Sequence, residues 1–382
     1  MTIVDAPLSP SDATASDLMT TPRPDAPAPV VAERIVAATL GAMEIMAVHL
    51  GDRLGWYRAL AAHGALTSTE LARLTGSAER YAREWLEHQA ASGYLDVHDV
   101  DSGPLARRYR LHPGAAEAMT DADSLNHLAP VAGFIAAAGR AVDALLTAYR
   151  TGGGVSWAEL GSDARRAQGA LNRPLFLHQL AQEVVPALPE LHAALTTGAV
   201  VADVGCGEGW SAIGLARAFP EVRVEGVDVD PPSVEAARRH AVEAGLADRV
   251  TFATADGARL EPWRRGRYGV VAAYECVHDM ADPVAVLAGM RAMAAPGAYV
   301  LVMDERTEPE FAPRSSATER LFYGYSLLCC LPDGLSTADG AGTGTVMRPA
   351  TLEAYAVAAG FAGVDVLPVE HETFRFYRLL LP

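Results

Sequence analysis

Residues Val200 to Trp210 read VVADVGCGEGW, an apolar run that leads into three spaced glycines. The run predicts a buried strand, and the helical pattern after Gly209 predicts a strand–turn–helix unit. Gly205, Gly207 and Gly209 allow a tight turn and the close approach of a ligand to backbone amides at a helix N-terminus. A plain strand–helix turn gives the same short pattern, so the neighbouring sequence has to decide between the two interpretations.

Carboxylates accompany this strand and the two predicted strands that follow it. Asp203 precedes the glycines, Asp228 ends the next strand in EGVDVD just before Val229, and Asp256 and Gly257 follow the third strand in TFATADG. Ligands of open α/β sheets bind outside the carboxyl ends of the strands. We expect Asp228 to accept the ribose hydroxyls, Asp256 to accept an adenine amino group, and Asp203 to receive a ligand ammonium. A lone aspartate here is usually a helix cap, but three in this register favour a nucleoside site.

The C-terminal part of the chain alternates strands and helices. Strands are predicted at 199–204, 222–228, 250–254, 268–274 and 297–304, and helices at about 209–218, 232–245, 283–294 and 350–360. This order predicts a mostly parallel sheet with helices on both faces, a Rossmann-like α/β domain over residues 199–382. The last two strands, 364–367 and 374–381, are expected to form a hairpin. Residues 305–348 exceed the usual loop length and predict a lid-like insertion.

The preceding part of the chain divides into three further segments. Residues 1–30 are rich in Pro, Ala, Ser, Thr and Asp, which predicts a disordered tail. Residues 31–120 predict helices and a short hairpin, the plan of a winged helix. Residues 121–198 predict a helical connector that lines the pocket. The first helix is so broadly apolar over residues 33–60 that we expect it to join two copies into a homodimer, since it would otherwise expose a large patch.

Composition and charge exclude several classes of protein. The formal net charge of −16 disfavours nucleic acid and anionic membranes as partners. The predicted recognition helix of the winged unit has Arg80 and Arg83 against Glu79, Glu84 and Glu87, which a DNA reader would not favour. The four cysteines show no zinc spacing and are expected to be free thiols. Without a signal peptide or a long apolar run, we expect a cytoplasmic protein.

A nicotinamide dinucleotide is the main rival cofactor. Its fingerprint needs a glycine at position 210, where this chain has Trp210. On the motifs DVGCGEG, GVDVD and TADG, residues 199–381 resemble the class I S-adenosylmethionine (SAM) dependent methyltransferases. Residues 31–195 resemble the helical and winged-helix domain of their O-methyltransferase branch, which includes plant phenolic and actinobacterial natural-product enzymes. The resemblance implies SAM as the cofactor.

The segment YECVHDMADP supplies the catalytic candidates. The resemblance implies an HDW-type motif whose histidine is the general base, and His278 and Asp279 match it, with Met280 in place of the tryptophan. A histidine titrates near neutral pH and is suited to deprotonating a hydroxyl. We expect Asp304, at the end of the fifth strand, to hold the other ring nitrogen, with Glu275 in reserve. The alternative is a histidine that only caps the turn.

The acceptor contacts have weaker sequence signals. Asn172, Phe176 and His178 in LNRPLFLHQL, and Tyr323 of the insertion with its neighbours Phe322 and Tyr325, are candidates, although aromatic rows at helical spacing more often form core. No metal is expected. The sequence therefore predicts methyl transfer to a hydroxyl of a small secondary metabolite. N- or C-methylation, another SAM-dependent reaction and a winged-helix DNA regulator remain as alternatives.

Overall fold

The computed structural model of this chain describes residues 25–259 and 261–382. Its first unit is helical with a two-stranded antiparallel hairpin, as a winged helix requires. The elements are α1 (Ala28–Arg53), α2 (Trp56–His63), α3 (Ser68–Thr75), α4 (Glu79–Ala91), β1 (Leu95–His98), β2 (Arg108–Leu111) and α5 (Pro113–Thr120). A capping box begins α3, because the Thr67 hydroxyl accepts a hydrogen bond from the Glu70 amide and the Glu70 carboxylate accepts one from the Thr67 amide.

The predicted tail lies mostly outside the described residues, but its boundary at residue 30 is wrong. Helix α1 begins at Ala28, because Pro29 sits in the first turn, where a missing amide proton costs nothing. Gly51 does not break this helix. A Cβ there would lie 2.3 Å from the Trp85 ring, so Gly51 permits close packing. Gly55, with φ of 71°, makes the turn into α2.

A helical connector follows the first unit, as predicted. It consists of α6 (Ala129–Arg140), α7 (Val142–Thr151), α8 (Trp157–Pro174), a wider helical stretch over Leu175–Val184, and α9 (Pro189–Thr196). Within the described residues no single helix is long and apolar enough to cross a membrane, and one pair, α6 with α7, meets that length and composition only across a 58° bend.

The second unit is a seven-stranded sheet in the order β5-β4-β3-β6-β7-β9-β8. The five strands from β3 to β7 are parallel, whereas β9 pairs antiparallel with both β7 and β8, which confirms the predicted Rossmann-like sheet and its terminal hairpin. The strands are β3 (Val200–Val204), β4 (Arg223–Asp228), β5 (Val250–Thr254), β6 (Tyr268–Tyr274), β7 (Ala294–Glu305), β8 (Gly363–Val366) and β9 (Phe374–Leu380). The helices are α10 (Trp210–Ala218), α11 (Pro231–Glu243), α12 (Pro283–Met293) and α15 (Pro349–Ala358).

The predicted insertion is a folded segment that contains α13 (Ala317–Tyr325) and the short α14 (Leu331–Gly334). Its two ends are tied together, because the Thr307 hydroxyl donates to the Met347 carbonyl at 2.8 Å and Arg348 pairs with the buried Glu319. It also docks on the connector, where the Trp157 amide donates to Asp333 at 2.7 Å.

Candidate cofactor and catalytic site

The three glycines of the β3–α10 loop have different structural roles. A Cβ at Gly205 would lie 2.6 Å from the Cys276 sulfur, and one at Gly209 would lie 2.5 Å from the Phe252 ring, so both are required for packing. A Cβ at Gly207 would meet nothing within 4 Å. Gly207 therefore presents open backbone, and it is the position where a ligand has room to approach the loop.

Asp203 lies directly beneath this loop and is almost fully buried. One carboxylate oxygen accepts a hydrogen bond from the Ser211 hydroxyl at 2.5 Å, and the other has no partner. Burial, with the nearby charge of Asp228, raises the pKa of Asp203 to about 7. A buried carboxyl with an unpartnered oxygen next to open backbone fits a cationic group of a ligand.

Asp228 stands at the end of β4, beside β3, as predicted. Its two carboxylate oxygens accept the amide protons of Gly207 at 2.8 Å and of Asp230 at 2.9 Å. The next residue, Val229, is exposed. Asp228 thus fixes the glycine loop to the neighbouring strand while its remaining lone pairs stay available.

Asp256 follows β5, the next strand of the sheet, and its carboxylate accepts the Ala258 amide at 2.9 Å. Gly257 packs tightly, since a Cβ there would lie 3.0 Å from Val204 and from Val286. Asp256 also pairs with the exposed Arg259 at 3.5 Å. The three predicted aspartates therefore lie along one edge of three adjacent parallel strands.

A contact that the sequence did not reveal joins the connector to this edge. Arg165 of α8 makes two hydrogen bonds, of 2.7 and 2.8 Å, to Asp230, and both side chains are nearly buried. Asp230 also accepts the Ser233 amide at the start of α11. Because Asp230 follows Asp228 by two residues, the connector is held against the loop that carries Asp228.

His278 lies in a single helical turn, Val277–Asp279, just beyond β6, and its side chain is 2% exposed. Its Nδ1 atom is 2.8 Å from Asp304 and 3.0 Å from Glu305, both buried at the end of β7. Its Nε2 atom is 3.2 Å from Asp279. The predicted His278–Asp304 contact is present, and the ring has carboxylates at both nitrogens.

Glu305 was missed by sequence reasoning. Successive strand residues point to opposite faces, so Asp304 and Glu305 were not expected to reach one group. Both do so because His278 lies beyond the end of the strand. The only sequence signal for the Glu305–His278 contact is the pair of adjacent acids, Asp304 and Glu305, at the end of the strand next to the one that precedes His278.

The charges around His278 set the protonation of the group. Burial opposes the charged ring, but Asp279, Asp304 and Glu305 together hold the pKa of His278 well above its usual value. Burial alone would raise the pKa of Asp304, yet the adjacent imidazolium keeps it low. Burial and the charge of Asp304 raise the pKa of Glu305 well above its usual range. Both shifts favour the retention of protons by the His278–Glu305 pair, beside an ionised Asp304.

Glu275 completes this group from the end of β6. Its backbone has φ of 54°, a conformation that non-glycine residues rarely adopt. Its amide donates to the Met303 carbonyl at 2.7 Å, and its carboxyl has one unpartnered buried oxygen. Burial, then the charges of Asp304 and Asp279, raise the pKa of Glu275 to about 7, against the opposing charge of His278.

The predicted acceptor residues fall in different environments. Asn172 hydrogen-bonds Glu275 and Gln168, so it borders the catalytic group. Phe176 packs edge-on against Tyr274 in the core, and His178 is half-buried near Asp123, so neither is placed as expected. The Tyr323 hydroxyl accepts a hydrogen bond from Arg348, which gives it a structural partner.

Tyr325 of the insertion lies close enough to the catalytic group to interact electrostatically with Glu275 and Glu305. Burial, then the charges of Glu275, Cys330 and Glu305, raise the pKa of Tyr325 to about 12. Its neighbour Phe322 is buried. The insertion also pairs with the His278 turn, because the Gly344 amide donates to the His278 carbonyl at 3.0 Å. It therefore forms one wall of the site.

Comparisons with known proteins identify two domain families in this chain and a related enzyme. Residues 201–297 match the methyltransferase domain family, and residues 28–121 match the Rv2258c-like winged HTH domain family. The chain is 33% identical over 127 residues to 27-O-demethylrifamycin SV methyltransferase of Amycolatopsis mediterranei, an alignment that covers 33% of this chain and 46% of that relative.

Solved structures share the fold over nearly the whole chain. Mitomycin 7-O-methyltransferase MmcR is 24% identical with a TM-score of 0.69, covering 93% of this chain and 99% of that one. The O-methyltransferase NcsB1 from neocarzinostatin biosynthesis, solved with S-adenosyl-L-homocysteine (SAH) and 1,4-dihydroxy-2-naphthoic acid, is 21% identical with a TM-score of 0.59, covering 88% of this chain and 96% of that one. The chain therefore contains a methyltransferase domain at residues 201–297, preceded by a winged HTH domain at residues 28–121, and it shares its overall fold with these O-methyltransferases.

Proposed function

We propose that this protein transfers the methyl group of SAM to a hydroxyl of a small secondary metabolite, with His278 as the general base. The observation that carries this proposal is the buried His278, held between Asp304 and Asp279 beside the glycine loop. The proposed units are the winged-helix domain, which begins with α1 at Ala28 and ends near residue 120, the connector at 121–198 and the methyltransferase domain at 199–382. No metal ion enters the proposal.

The residues at the strand ends fit SAM. The open backbone at Gly207, the remaining lone pairs of Asp228 and the unpartnered oxygen of Asp203 suit an adenosyl ligand with an ammonium group. We assign Gly205, Gly207, Gly209, Asp228, Val229, Asp256 and Gly257 to the nucleoside and Asp203 to the ammonium. When bound, SAM supplies an electrophilic methyl group on a sulfonium.

The chain's own residues supply orientation and proton transfer. Asp304 fixes the ring through Nδ1, which directs Nε2 toward the side of Asp279. His278 must lose its proton before it can accept one from a hydroxyl, and Asp304 then stabilises the imidazolium that forms. Glu275 with Asn172 borders the position of the acceptor, and the insertion excludes water from the His278 turn.

The acceptor class that we favour is an aromatic hydroxyl. NcsB1 was solved with 1,4-dihydroxy-2-naphthoic acid, and the names of two further relatives mention demethylrifamycin SV and mitomycin. The direct test is mass spectrometry of hydroxylated aromatic metabolites incubated with the protein and isotopically labelled SAM. We expect labelled methyl ethers. Label found only on nitrogen or carbon would contradict the hydroxyl assignment.

We further propose a homodimer through the exposed apolar face of α1. The large apolar side chains on this face are 43–62% exposed, and they include Val36, Leu40, Met43, Leu50 and Leu54. A face of this kind on a 26-residue helix is costly to leave in water. A partner copy that presents the same helix would bury it.

The dimer is tested by light scattering at micromolar concentration. We expect a dimer mass for the wild type and a monomer for the double variant Ile35→Glu and Leu40→Glu, which places charges in the interface. Val242→Glu is the matched control, because Val242 is equally exposed but lies on α11. A monomeric wild type, or a double variant that stays dimeric, would refute the interface.

The match to a winged HTH domain makes a DNA-binding regulator the second candidate. Four arginines of this unit are already engaged by acids: Arg80 pairs with Glu84, Arg83 with Glu79, Arg107 with Glu87 and Arg110 with Asp96. Phosphate binding would have to break these pairs. We expect no sequence-specific shift in a gel-mobility assay at physiological salt, and a specific shift would restore the regulator.

A further inference from the structure

Five buried or partly buried side chains form a group with more acid than base, which we call the acid–imidazole cluster. Its members are Glu275, His278, Asp279, Asp304 and Glu305. Glu275 and Asp304 each have a buried carboxylate oxygen without a hydrogen-bond partner, whereas the buried oxygens of Asp279 and Glu305 lie 3.2 and 3.0 Å from the ring nitrogens of His278. Among the described residues the ion pairs of Asp279, Asp304 and Glu305 all run to His278. The cluster therefore has uncompensated acidic capacity where a protein normally pairs its charges.

The cluster adjoins the cofactor loop. Cys276 separates the two, because its thiol donates to the Val204 carbonyl at 3.4 Å and contacts Gly205. The charges of Asp304, Asp203, His278 and Asp228 all act on this one thiol. A positive charge bound at the end of the glycine loop would thus lie beside the cluster in a site of low dielectric constant.

We propose that the acid–imidazole cluster releases a proton when the sulfonium of SAM binds, and recovers a proton from the acceptor when the methyl group is transferred. This rests on the proposed function. A buried site that holds surplus protons exchanges one of them for an incoming fixed cation, because the cation stabilises the deprotonated carboxylates and imidazole. Once Glu275 or Glu305 has lost that proton, its carboxylate can take the proton of His278, which leaves the ring free to act as a base.

Protons and charge balance over the two steps, SAM binding and methyl transfer. On binding, the protonated cluster and the sulfonium give the deprotonated cluster, the bound sulfonium and a proton released to solvent. In the transfer, the methyl carbon–sulfur bond breaks, the carbon–oxygen bond forms, and the hydroxyl proton passes to the cluster as the positive charge on sulfur disappears. The net charge of the buried site stays constant, and the neutral thioether leaves a cluster that is protonated again.

The other titratable groups around the cluster do not account for the same exchange. They are Cys276, Tyr325, Cys330, Asp333 and Tyr377. Burial first raises the pKa of Cys276, of Tyr325 and of Tyr377, which keeps these groups protonated in either state. Asp333 has a pKa raised to about 7 by burial and by Asp279, so it needs its own control variant.

The test is titration calorimetry of the full-length protein with SAM and with SAH, in two buffers of different ionisation enthalpy. SAH has the same nucleoside and amino-acid groups but a neutral sulfur, so groups such as Asp203 that face the ammonium cancel in the difference. At pH 6.5 the amino group of both ligands is protonated, since an ordinary α-amino pKa is about 7.7–8.0. We expect SAM to release roughly 0.3–1 proton more than SAH.

Variants test whether the additional proton that is released on SAM binding comes from the acid–imidazole cluster. Glu275→Gln and Glu305→Gln should each reduce the SAM–SAH difference, and the double variant should abolish it. Asp333→Asn and the exposed Glu235→Gln are matched controls that should leave it unchanged. Equal proton release with SAM and SAH, or a difference that survives the double variant, would overturn the proposal.

A second measurement does not depend on the variants folding. The ratio of the SAM to the SAH association constant in the wild type should rise between pH 5.5 and 7, because in this range the free protein still holds the proton of Glu275, whose pKa is raised to about 7, and the SAM complex has released it. A flat ratio would contradict proton exchange. Failure of both ligands to bind would instead refute the proposed function itself.

Discussion

His278→Ala is expected to lower the rate of methyl transfer by about 10²–10⁴, the usual contribution of a positioned general base. SAM binding should remain nearly intact, because we assign the nucleoside contacts to the glycine loop, Asp228 and Asp256. The wild-type rate should rise with pH as the cluster loses its proton, and the variant should lose this limb of the profile. Steady-state kinetics on any methylated acceptor measure both effects.

Two comparisons isolate the role of the ring. Asp304→Asn should give a smaller fall, since it keeps the shape of the contact to Nδ1 but removes the charge that stabilises the imidazolium. His63→Ala, an exposed histidine at the end of α2, should have no effect. Near-wild-type turnover in His278→Ala would mean that proximity alone drives the transfer, and His278 would no longer be a catalytic candidate.

The sheet and the positions of the strand-end acids were predictable because they depend on local pattern. Parallel strands bring their carboxyl ends to one edge, so the apolar runs before Asp203, Asp228 and Asp256 were enough to place these three side chains together. The same rule placed Asp304 near His278, since β6 and β7 are neighbours in the sheet.

The residues that sequence reasoning missed depend on contacts between distant segments. Glu305 reaches His278 only because the ring lies beyond the strand end, and Arg165 meets Asp230 across 65 positions of the chain. Phe176 was misplaced for a related reason. The wide helical turn at Leu175–Val184 directs it against Tyr274, and a regular helical period does not predict that direction.

Asp228→Ala is expected to weaken SAM binding by about 1.5–3 kcal/mol, the cost of losing a charged hydrogen-bond acceptor. This corresponds to a roughly ten- to hundredfold rise in Kd. The structure gives a second reason for a large effect, because Asp228 also holds the amides of Gly207 and Asp230. Asp365→Ala, an exposed aspartate on β8, is the matched control and should bind normally.

Measuring the loss of affinity in Asp228→Ala with both SAM and SAH distinguishes the nucleoside site from the acid–imidazole cluster. Asp228 is assigned to the ribose, which SAM and SAH share, so calorimetry should show the same loss for both ligands and an unchanged SAM–SAH difference in proton release. Glu275→Gln and Glu305→Gln act through the sulfonium and should leave SAH binding almost unaltered. Unchanged affinity in Asp228→Ala would remove the nucleoside assignment. A loss confined to SAM would instead place Asp228 with the acid–imidazole cluster.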